Sequence, residues 1–146
     1  MSPTAVARLS FIYLFLNLVV FAGYGVCAEL APAWFAHLID ISLDSRSALA
    51  DFRAMYGGLP IVGAVVFVRG MFNPKWRSLA ISFATLSSVC LGSSRILAAA
   101  VDGPPTPVIL VMFSAELFAV IAGVCLLRLE QAPTPSLWSA AASSRG

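Results

Sequence analysis

Residues 9–28 read LSFIYLFLNLVVFAGYGVCA, from Leu9 to Ala28, without a single charge. Arg8 closes the run on one side and Glu29 on the other. A helix needs roughly 20 apolar residues to cross the about 30 Å of bilayer hydrocarbon, so the stretch has the length of one crossing. Its one strongly polar side chain is Asn17. A secretory signal peptide is the rival reading, because Val26-Cys27-Ala28 ahead of Glu29 resembles a small-residue cleavage site. The apolar run exceeds the about 7–15 residues of a usual signal core, which favours a retained span. Bulky Val26 before Cys27 argues against a lipoprotein signal.

The rest of the chain shares this character. Of 146 residues, 60% are hydrophobic and 11% charged, against about 45–50% and about 25% in soluble domains. Mean hydropathy is +0.91. Disorder, which needs low hydrophobicity and high net charge, is excluded, and a water-soluble domain fits poorly. The net charge of +2 comes from basic residues scattered along the chain, so nucleic acid is not an expected partner. Cys27, Cys90 and Cys125 each fall inside apolar runs, a spacing that makes neither a disulfide framework nor a metal site. His37 is the only histidine. No metal, cofactor or Ser/His/Asp set is therefore expected, and no enzymatic activity.

Three further spans follow. Between Arg53 and Arg69 lie only 15 uncharged residues, too few to cross. The second long helix must start near Ser47, with Asp44 or Ser45 as its N-cap, and draw Asp51 and Arg53 into the outer bilayer. Gly57, Gly58 and Pro60 come one turn later. Pro60 removes a backbone donor and crowds the carbonyl four residues back, so a loosened turn is expected near Tyr56–Pro60. Before this helix, Trp34, Phe35, Leu38, Ile39 and Leu43 are spaced for a short interfacial helix over 34–43. Gly70–Arg77 reads as a basic turn, Ser78–Val101 as the third span, Asp102–Pro107 as a tight hairpin and Pro107–Leu129 as the fourth span. Trp34, Trp76 and Trp138 suit anchoring at headgroup depth. The expected fold is all-α, an integral membrane four-helix bundle over residues 1–130. A mobile cytoplasmic tail follows over 131–146.

Lys and Arg fix the orientation. With a cytoplasmic N-terminus, Arg8, Arg69, Lys75, Arg77, Arg128 and Arg145 lie inside, while Glu29, Asp40, Asp44, Asp51 and Asp102 lie outside with Arg46 and Arg53. Both termini are then cytoplasmic.

Four residues have no such topological role: Asp51, Arg53, Arg95 and Glu116. A charge at the bilayer centre costs on the order of 3 kcal/mol. Arg95 is seven residues before Asp102 and Glu116 nine past Pro107. They lie roughly 10 and 13 Å deep from the same hairpin, so an ion pair between them is natural. Arginine's planar fork suits a bidentate carboxylate. Arg53 and Tyr56, three residues apart, share a helix face. A cluster of Arg53, Tyr56, Arg95 and Glu116, edged by Asp51, is expected in the outer half, with Gly57, Gly58, Gly92 and Ser93 beside it lacking bulk. Its plainest role is to fix helix register. An anion-binding role rests on two arginines against one deep carboxylate, and a proton pathway on Glu116. Ala115, Ala119 and Gly123 form a small-residue packing stripe.

The run Ala50-Asp51-Phe52-Arg53-Ala54-Met55-Tyr56-Gly57-Gly58-Leu59 resembles the signature of a bacterial family of small four-helix membrane proteins catalogued as domain of unknown function 4345. Gly92-Ser93-Ser94-Arg95, Asp102-Gly103-Pro104 and Glu116 follow in the matching order, and the likeness covers roughly residues 8–129. Asp51 stands where the family pattern leads one to expect Glu. The resemblance implies a multi-pass protein of the bacterial inner membrane and brings no activity, substrate or cofactor. A membrane-embedded enzyme with Glu116 and Tyr56 as acid and base would need its whole chemistry from Glu, Tyr and Arg and is disfavoured; two other functions are left open. One is a non-enzymatic bundle that binds a lipid-like or small anionic ligand or serves as an accessory subunit. The other is a small proton-coupled transporter working as an oligomer through Glu116. Expected partners are membrane lipids and a homo-oligomer or larger membrane complex.

Overall fold

The computed structural model describes residues 2–131. Apart from Gln131, the expected tail, with Trp138 and Arg145, lies outside the described residues. The described chain is all-helical: α1 Pro3–Leu30, α2 Pro32–Leu38, α3 Arg46–Phe72, α4 Pro74–Val101 and α5 Pro107–Gln131. All but α2 are long and apolar enough to cross a membrane. They form an up-and-down bundle in which α1 packs on α3, α3 on α4, α4 on α5, and α5 less closely back on α1.

The local chemistry explains most boundaries. The Ser45 hydroxyl accepts from the Ala48 amide at 3.0 Å and caps α3, so Ser45 rather than Asp44 is the N-cap. Asn73 accepts from the Lys75 amide at 3.0 Å, with Pro74 at the first helical position. That cap starts α4 at Pro74. The expected basic turn over 70–77 thus shrinks to Asn73, and Lys75, Trp76 and Arg77 enter the helix. Gly103, at φ +112°, turns the hairpin between α4 and α5.

The interfacial helix is shorter than its apolar spacing suggests. It ends at Leu38, and Asp40 takes the left-handed conformation at φ 62°. The Ile41 amide then bonds the Ala36 carbonyl, and the Asp40 amide that of His37, a Schellman ending. Aspartate tolerates this conformation better than most residues. Ile39, Ile41 and Leu43 leave the helix and pack against Phe35 and its neighbours.

Pro60 loosens α3 as expected, but the disturbance sits earlier. Arg53–Gly58 is a π-helical turn, closed by the Leu59 amide on the Ala54 carbonyl, five residues back. Proline cannot donate to the Tyr56 carbonyl and crowds it, so the turn before it widens.

Two apolar cores result. Tyr13, Leu14, Phe67, Ala80, Ile81, Ala84 and Leu126 join all four spans toward the Asn73 end. Ala28, Phe35, Ala36 and Phe52 form a second core at the α2 end. The α4–α5 hairpin takes no part in the second, and no residue from Ser93 to Ala122 is buried.

Candidate functional site

Several polar side chains within these spans are answered locally or across the bundle. Asn17 donates to the Tyr13 carbonyl at 2.9 Å, Ser94 to that of Cys90 and Ser114 to that of Leu110, each one turn back on its own helix. The Tyr13 hydroxyl crosses to the Ala119 carbonyl at 3.0 Å and lies 3.4 Å from Thr85. Gly123 packs against the same pair, where a Cβ would collide with the Thr85 hydroxyl. Of the small-residue stripe, Gly123 and Ala119 pack inward while Ala115 is exposed. Near the ends of α1 and α5, Ser10 donates to Glu130 at 3.1 Å.

The one ion pair among the described residues is Arg95–Glu116. Arg95 Nε donates to Glu116 Oε1 at 2.9 Å and to Oε2 at 3.1 Å. The side chains are 24% and 12% exposed. This is not the fork-on-carboxylate geometry. Both oxygens share one nitrogen, and the terminal guanidinium nitrogens make no hydrogen bond to a described residue. A Cβ added at Gly92 would meet the Glu116 carboxylate and Phe113 at ordinary contact distance.

One phenol faces the pair from α1: Tyr24 is close enough to Arg95 and Glu116 to feel their charges, and Tyr56 is its neighbour. An aromatic chain holds both tyrosines: Tyr24 meets Phe35 edge-on at 5.0 Å, Phe35 meets Phe52 at 6.0 Å, and Phe52 stacks on Tyr56 at 4.7 Å. Helix α2 thus supplies, through Phe35, the link between α1 and the π turn.

The other residues singled out by the sequence behave differently. Asp51 and Arg53 are exposed, and neither makes an ion pair or side-chain hydrogen bond with a described residue. The wider π turn explains why Arg53 and Tyr56 part company, since residues three apart align on the tighter α-helix. Gly57 is buried because the Glu29 carboxylate lies against it, and a Cβ there would collide with Glu29. Gly58 faces open space. Glu29 and Tyr24 were not among the expected site residues. Glu29 reads as the terminus of a span, and Tyr24 as one aromatic among many. Its flanking Gly23 and Gly25 were the only local signal.

Among the described residues no group of three or more His, Cys, Asp or Glu is placed to hold a metal. The cluster is a guanidinium with unused donors, a carboxylate and, from α1, a phenol close enough to feel their charges. Over residues 9–127 the chain matches the model of a family described as a domain of unknown function (DUF4345). No curated protein and no solved structure matches it.

Proposed function

The chain belongs to the DUF4345 family, and from that premise we propose a non-enzymatic, multi-pass protein of the bacterial inner membrane that binds an anionic, lipid-like ligand beside Arg95. One observation carries the proposal. The Arg95–Glu116 pair is partly exposed in the stretch from Ser93 to Ala122 where nothing is buried, and it leaves the terminal guanidinium nitrogens without partners. A charge facing lipid is expensive unless something covers it. A phosphate or carboxylate headgroup at bilayer depth supplies acceptors for those nitrogens. Exposed Arg53, at the same end, adds attraction for an anion.

Glu116 is poorly suited to carrying protons, because both its oxygens already accept from a guanidinium. That favours binding over proton-coupled transport. The basic residues Arg8, Arg69, Lys75, Arg77 and Arg128 gather at the Asn73 end, which supports cytoplasmic termini.

The test compares thermal unfolding in detergent with and without membrane lipid extract. A ligand at a hundredfold excess over Kd adds about 2.7 kcal/mol of stability. Wild-type protein is expected to gain several degrees, Arg95→Gln to lose most of the gain and Arg53→Gln a smaller part. An unchanged lipid response in both variants removes the proposal.

A further inference from the structure

A second feature lies on the opposite side of the molecule's chemistry, toward the Asn73 end. A groove of about 450 Å³ runs between α1 and α3, the volume of a site for a drug-sized molecule. Its walls are apolar: Leu18, Ala22 and Val26 on α1, Ala64 and Val68 on α3. The small side chains of Ala22 and Ala64 leave the space. Its only charged lining residue is Arg69, in the last turn of α3.

Arg69 is exposed and has no ion-pair partner among the described residues. Its guanidinium stands over the Trp76 ring, 5.5 Å from the centroid, with exposed Lys75 next in sequence. The stacking holds the cation at the groove's end without neutralising it. From Ile61, the farthest lining residue of α3, to Arg69 is roughly 12 Å of helix, close to the about 15 Å of one leaflet's hydrocarbon. Helices in direct contact stand only about 8–10 Å apart. The furrow between them takes a chain of methylenes, whereas a helix about 10 Å wide rides over it.

We propose that this groove is a binding site for one acyl chain of an anionic phospholipid, with the lipid phosphate on Arg69. The charge complementarity is specific to this end. The groove is apolar along its length and positive at one tip, the mirror of a phospholipid. Its charged tip at Arg69 lies about 30 Å along the bundle from Arg95, so the phosphate position stands apart from the site proposed there.

The test is native mass spectrometry of the full chain, titrated with phosphatidylglycerol or phosphatidylcholine of identical acyl chains. Wild type is expected to bind phosphatidylglycerol roughly tenfold more tightly, the size of one charge-assisted hydrogen bond. In an Arg95→Gln background, where the other proposed site is silenced, Arg69→Gln should erase that preference and Arg69→Lys keep most of it. Ala22→Phe, which fills the groove from its lipid-facing wall, should weaken both lipids. Arg95→Gln should leave the Arg69-dependent preference intact, which separates this site from the other. The proposal is overturned if, in the Arg95→Gln background, the preference survives Arg69→Gln, or if Lys75→Gln or Arg77→Gln abolishes it while Arg69→Gln does not. It is overturned equally if Ala22→Phe leaves binding unchanged, or if groove variants alter only a doubled protein mass, which would mark a second copy as the occupant.

Discussion

Arg95 and Glu116 sit in the least packed part of the bundle, and the cost of two charges there is met chiefly by each other. The buried polar groups follow the same economy. No buried side-chain nitrogen or oxygen lacks a partner among the described residues, as lipid demands. The two adjacent glycines show how finely position matters at this scale. Gly57 is packed by Glu29, whereas Gly58 meets nothing within 4 Å. Gly58→Ala should therefore raise stability by about 0.5–1 kcal/mol, the usual helical gain. Gly57→Val should lower it by displacing Glu29 and prising α1 from the π turn. Thermal unfolding of both variants in one detergent decides the matter, and equal shifts would contradict this packing. The Arg95–Glu116 pair was legible in the sequence because helical rise and a common hairpin set both depths. The Glu29 contact was not, because it depends on how α1 crosses α3, which no local spacing encodes.

At the scale of elements, capping residues set the boundaries more sharply than hydropathy does. Ser45 bonds the first turn of α3 while Asp44 precedes it. Ser45→Ala should cost about 1 kcal/mol, and Asp44→Ala no more than a few tenths. Unfolding midpoints of the two variants distinguish them, and a larger loss from Asp44→Ala would reassign the cap. The π turn was half legible. Pro60 announces that the helix must yield, but where the extra residue is accommodated depends on packing. Here the wide turn places Tyr56 on Phe52 and lets Arg53 swing out to the exposed surface. The shortening of α2 was not legible, because Ile39 and Leu43 fit a helical stripe equally well. Their burial in the α2-end core is what draws the chain out of the helix at Asp40.

On the scale of the whole molecule, the bundle is closed by a four-span core toward the Asn73 end and left loose along the α4–α5 hairpin. Both proposed ligand sites lie where helices present charge at an incompletely covered surface. The charge distribution also makes an orientation testable. In a variant with Cys27, Cys90 and Cys125 replaced by Ala, a membrane-impermeant thiol reagent applied to intact cells should label His37→Cys and not Lys75→Cys. The reverse pattern would invert the topology and place Arg69 in the outer leaflet.

The sequence by itself determined that the chain forms four apolar helices, roughly where they begin and end, and that Arg95 and Glu116 fall at one level of their hairpin. Those properties follow from residue-by-residue transfer energies, helical rise and local caps. Tertiary structure alone decided that Tyr24 comes near the charges of Arg95 and Glu116, that Glu29 seats on Gly57, that Arg53 and Asp51 are exposed, and that a groove opens above Arg69. Each depends on the rotation and crossing of one helix against another. In lipid, where every outward face is apolar, hydropathy does not encode that rotation, and shape complementarity of small and large side chains must set it.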